Sequence, residues 1–65
     1  MTEQVALYNV PRNSRVRLVN PKGEPQLDFE FGHIDGMFSF CVTDDGDIFH
    51  IAATTMVVIL RRGPP

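Results

Sequence analysis

From Leu27 to Phe49 the sequence alternates apolar and polar side chains in short runs, and each run ends at a turn signal. Leu27, Phe29 and Phe31 stand opposite Asp28 and Glu30; Phe38, Phe40 and Val42 stand opposite Ser39, Cys41 and Thr43. Alternation with a period of two is the pattern of strands, because successive side chains leave opposite faces of the backbone. Gly36 separates the two runs, and Asp44-Asp45-Gly46-Asp47 ends the second with residues that tolerate positive φ, a hairpin signal. Upstream, Val16 and Leu18 alternate with Arg15 and Arg17 before the turn-rich stretch 21–26, "PKGEPQ". Downstream come "IFHIAA" (48–53), Thr54-Thr55 and "MVVIL" (56–60), and the tail "RRGPP" stops the last strand.

Pro11 prevents a helix from running through residues 1–14, which read as an extended arm or a short helical turn with Val5, Leu7 and Val10 on a core edge. The chain therefore divides into an arm (1–14), a β domain (15–60) and a tail (61–65). The expected class is all-β: five short strands in a strongly bent antiparallel sheet that closes into a small SH3-like barrel, with any N-terminal helix short or absent. Gly32 sits where the long second strand has to bend.

At 65 residues the chain is near the lower limit for a self-sufficient core. Cys41 is its single cysteine, so neither an intrachain disulfide nor a cysteine-rich zinc site can supplement that core. Self-association is the remaining route. Met56, Val57, Val58, Ile59 and Leu60 form an unbroken apolar run, and in a monomer one face of it would meet solvent. Placed at a sheet edge, this strand would invite pairing with a neighbour. Head-to-tail pairing of that kind closes into a ring, so residues 56–60 are the expected oligomer interface.

Catalytic chemistry finds little footing. No Ser-His-Asp set, carboxylate pair or phosphate loop stands out. His33, with Asp35 two residues on, and His50 lack a third ligand at diagnostic spacing, so neither metal nor cofactor is expected. Cys41, set among apolar strand residues, reads as packing rather than as a nucleophile. The net charge is −2, which does not match a non-specific nucleic-acid binder. Charge is nonetheless uneven: all acids except Glu3 fall between Glu24 and Asp47. Arg12, Arg15 and Arg17 read either as a basic stripe or, for the last two, as cross-strand partners of Asp28 and Glu30. The N-terminus lacks the pattern of a signal peptide, and no apolar run has the length of a membrane span, so a cytoplasmic, membrane-free protein is expected.

Taken together, "FEFGHIDGMFSF" and "AATTMVV" resemble the Sm/LSm family, which includes the bacterial host-factor protein Hfq. Asp35, Gly36, Met37, Phe38 and Ser39 fall on the family's Asp-x-x-apolar-Asn, with Ser39 in place of asparagine. The family's second motif, apolar-Arg-Gly, corresponds best to Ile51-Ala52-Ala53, where both signature residues are missing. The chain also resembles small Sm-like proteins of tailed phages and cyanophages. The resemblance implies a non-enzymatic homo-oligomeric ring of roughly five to seven subunits. It also implies single-stranded RNA bound at Asp35, Gly36, Met37 and Ser39 together with Ala53, Thr54 and Thr55. The alternative is a structural or protein-interaction ring without nucleic acid, such as a phage-encoded modulator of a host factor in the host cytoplasm. Asp35-Gly36 is equally explained as turn chemistry.

Overall fold

A computed structural model describes residues 3–19 and 27–64. These residues form six antiparallel strands: β1 (Gln4–Ala6), β2 (Ser14–Leu18), β3 (Asp28–Asp35), β4 (Phe38–Val42), β5 (Ile48–Phe49) and β6 (Met56–Arg61), with one 3₁₀ turn at Leu7–Asn9. The strands make a single sheet in the order β1-β6-β2-β3-β4-β5. The turn expected over 21–26 lies outside the described residues. Among the described residues no helix is long and apolar enough to cross a membrane.

Two expectations need correction. The sheet has six strands rather than five, because the arm contributes β1. Its ladder is also not closed from strand to strand. The fourth expected strand, 48–53, is shorter than its run: β5 stops at Phe49, and the segment 51–55 turns back on itself through Thr55 N–H to Ala52 O (3.0 Å). On one side Ser39 N–H donates to Ile51 O (2.8 Å) and Ala53 N–H to Met37 O (2.9 Å). On the other side Leu7 N–H donates to Thr55 O (3.0 Å) and Tyr8 N–H to Ala53 O (3.1 Å). This irregular strap holds the open sheet in its bend.

A further correction concerns residues 56–60. β6 is not an open edge over its first half: β1 pairs with Met56, Val57 and Val58 on one side, and β2 pairs with Val57, Val58, Ile59 and Arg61 on the other. Val57 is fully buried and Ile59 packs against the core. The continuous apolar run is thus absorbed within the chain, although Met56 and Leu60 stay exposed.

The core comprises Leu7, Val10, Val16, Phe29, Phe31, Cys41 and Val57. Burying each of the larger side chains contributes about 1.5–3 kcal/mol relative to exposure. Phe49 meets Phe29 edge to face at 5.0 Å, the geometry that the ring quadrupoles favour.

β3 changes its inward face at Gly32. Phe31 pairs with Cys41, but His33 pairs with Phe40, so β3 spends an extra residue against β4. This is a bulge, and it flips the alternation. Phe29 and Phe31 point inward before it, and Ile34 packs inward after it. On β4 the inward residues are consequently Ser39 and Cys41, both fully buried, while Phe38 and Phe40 turn outward. A Cβ on residue 32 would lie 3.0 Å from the Phe40 carbonyl oxygen and 3.1 Å from its ring, so glycine suits the close approach.

The C-terminal tail is fixed by a second close approach. Ser14 Oγ–H donates to Pro11 O (2.7 Å) and accepts from Gly63 N–H (2.8 Å). A Cβ on residue 63 would fall 1.8 Å from the Arg12 carbonyl oxygen. Gly63→Ala should therefore release the tail and lower stability by about 1 kcal/mol, the usual size of one lost hydrogen bond. Urea denaturation checks this; a variant as stable as the wild type would contradict the docking.

Candidate interaction surface

The hairpin joining β3 to β4 is two residues long. Asp35 pairs with Phe38, Gly36 takes φ +65°, and Met37 is not in the positive-φ region. Glycine first in a two-residue loop is the type II′ pattern, whose twist matches that of the flanking strands. The tip projects into solvent, and Met37 is 81% exposed.

Turned outward by the bulge, the aromatic residues meet two histidines. His33 stacks on Phe40 with ring centroids 5.2 Å apart and 11° between planes. His50 approaches the same ring edge-on at 5.7 Å. His50 Nδ1 lies 3.1 Å from the Ser39 carbonyl oxygen, placed to donate to it. Asp35, Phe38 and His50 line an open cleft of about 380 Å³. Phe38 is 54% exposed, and Ile48 on β5 is 58% exposed.

The residues expected to bind RNA separate into two groups. Asp35, Gly36 and Met37 lie at the exposed tip, and Thr54 is exposed with Thr55 half-buried. The tip and the 53–55 turn do adjoin each other, through Ala53 N–H to Met37 O and a bridge between Phe38 and Ala52. Ser39 and Ala53, however, are buried. Ser39 Oγ–H donates to Ile51 O (2.9 Å) and lies 3.3 Å from Cys41 Sγ. Its hydroxyl ties the strap to the sheet and is not offered to a ligand, because the bulge has turned it inward. Cys41 beside it is a core residue, and burial pushes its thiol up, only partly offset by the Ser39 hydroxyl. That environment suits packing rather than thiolate chemistry.

Two of the three arginines of the expected stripe, Arg15 and Arg17, are ion-paired. Arg17 Nε and Nη2 donate to the two Asp28 oxygens at 2.7 and 3.0 Å, across the register that pairs these residues. Arg15 donates to Glu30 (3.1 Å) and to both oxygens of Asp44 (2.9 and 3.0 Å), and Arg61 donates to the other Glu30 oxygen (2.6 Å). Arg12 stands apart, exposed in the turn before β2. No group of three or more His, Cys, Asp or Glu side chains able to hold a metal occurs among the described residues.

Phe38, Phe40, His33 and His50 were not singled out together from the sequence. The signal for them was Gly32 in mid-strand: a one-residue slip there exchanges the two faces of everything that follows. No family model, curated protein or solved structure matches the chain.

The ion pairs carry a pH signature. Hydrogen bonds from Arg17 and Arg15 hold Asp28 and Asp44 below the ordinary carboxyl value of 3.8. Carboxyls depressed in the folded state stabilise it above the unfolded value, and that stabilisation is lost as pH falls through the folded values. The urea midpoint should therefore decline as pH falls below the ordinary carboxyl value. The double variant Asp28→Asn/Asp44→Asn should lower the midpoint at neutral pH and flatten the acid decline. An identical acid profile in this variant would contradict the pairing.

Proposed function

We propose that this chain is a non-enzymatic, self-assembling Sm-like β module, a structural or protein-interaction ring that works by surface contact. The observation that carries this reading is the outward apolar face of Met37, Phe38 and Ile48, all more than half exposed, beside the His33–Phe40–His50 stack. Contiguous exposed apolar surface on a small domain marks an interaction site, and a chain of this length gains most from burying such surface against another subunit. The arginines of β2 are engaged by acids of the same chain, which weighs against them as phosphate partners.

A second reading has one observation in its favour. Because the 35–37 tip adjoins the 53–55 turn, a single-stranded RNA could stack a base on the half-exposed Phe38 ring beside Asp35. Base stacking on an aromatic side chain contributes roughly 1–3 kcal/mol per base.

Sedimentation velocity over a concentration series, with titration of labelled oligo-U and oligo-A at two salt concentrations, separates the readings. Self-assembly without saturable oligonucleotide binding is the expected result. A wild-type monomer at every concentration would overturn the proposal. Saturable, salt-sensitive binding that weakens about tenfold or more in Phe38→Ala would favour RNA instead.

A further inference from the structure

The segment after β6 meets the turn before β2 at one corner. Gly63 packs on the backbone of Arg12 and Asn13, and its N–H donates to Ser14 Oγ. Arg12 and Arg62, distant in sequence, are thereby brought to the same corner, and both are exposed. The ion pairs among the described residues engage Arg15, Arg17 and Arg61 with Asp28, Glu30 and Asp44. Arg12 and Arg62 belong to none of them. At the tip of the β3–β4 hairpin, Asp35 is likewise exposed and outside those pairs, and it lines the open cleft together with Phe38 and His50.

We infer that the Asp35–Phe38–His50 cleft receives the Arg12–Arg62 corner of a second copy of this chain, a specific form of the self-assembly proposed above and dependent on it. A guanidinium matches this cleft in two ways at once. Its planar fork pairs with a carboxylate, and its flat, weakly hydrated face lies against aromatic rings. A lysine ammonium has neither the fork nor the flat face. The occupant is a second copy because one chain carries both halves, of opposite charge, in different places. The cleft is fixed by the hairpin and strap, and the corner by the docked tail. Such a contact is heterologous: each subunit offers its corner to one neighbour and its cleft to another, which generates a ring where the rotation closes. It also makes no use of a strand edge on β6, whose first half lies between β1 and β2.

Charge-reversal complementation tests this. Asp35→Arg spoils the cleft and leaves the corner; Arg12→Glu/Arg62→Glu spoils the corner and leaves the cleft. Each variant, folded by circular dichroism, should lose assembly by sedimentation velocity, with apparent affinity weakened at least about tenfold. An equimolar mixture should recover it, since each spoiled surface then meets its reversed partner. Assembly unchanged in either variant, or loss in both without recovery on mixing, would overturn this contact while leaving self-assembly intact. A wild-type monomer would instead remove the parent reading. Should a reversal not fold, the neutral variants Asp35→Asn and Arg12→Gln/Arg62→Gln supply a double-mutant cycle. Non-additive losses of affinity support the contact, and strictly additive ones overturn it.

Discussion

The bulge at Gly32 decides which side chains of this protein are core and which are surface. Before it, β3 buries Phe29 and Phe31; after it, the extra residue carries Ile34 inward and His33 and Asp35 outward. β4 follows the register, so Ser39 and Cys41 enter the core and Phe38 and Phe40 leave it. Strand hydrophobicity alone would place the phenylalanines inside. What overrides it is space and backbone satisfaction. The interior at that point is already filled by Phe29, Phe31 and Phe49, and the Ser39 hydroxyl and amide both bond to the Ile51 carbonyl.

The strap depends on that inversion. Were Ser39 to point outward, its hydroxyl could not reach Ile51 from the interior side, and residues 51–55 would lose one of their ties to β4. The strap in turn supplies the carbonyls that accept the Leu7 and Tyr8 amides, so the N-terminal arm is held by the same segment. One glycine in mid-strand therefore propagates to the hairpin tip, the strap and the arm. The surface it leaves outside is the one on which the functional reading rests.

Much of the architecture was legible in the sequence. Alternation and turn chemistry located β2, β3, β4 and the hairpins at Gly36 and Asp44–Asp47. Cross-strand pairing of Arg15 and Arg17 with Asp28 and Glu30 was one of two readings of the charges, and the register gives it as Arg15 with Glu30 and Arg17 with Asp28. β1 was hidden because three residues, Gln4 to Ala6, carry too little pattern to distinguish a strand from an arm; their pairing with Met56–Val58 is a tertiary choice. The cover that β1 gives to Met56–Val58 was hidden for the same reason, since that partner is local in space but distant in sequence. Ser39 was named as a binding residue from its place in the resembled motif, and the structure buries it because the bulge at Gly32 sets the face of β4. Gly63 gave no signal of its docking, which depends on the Arg12–Ser14 backbone arriving beside it.

Cys41, the single cysteine, provides a direct readout of the inversion, because it lies inward only if the bulge is present. Native-state labelling of its thiol with a small alkylating reagent should be slow and should accelerate with denaturant in step with unfolding, as expected for a fully buried side chain. Labelling of the folded protein at the rate of an exposed thiol, unaffected by low denaturant, would place Cys41 on the outer face. In that event the phenylalanines would be the core residues of β4, and the aromatic surface with everything built on it would be withdrawn.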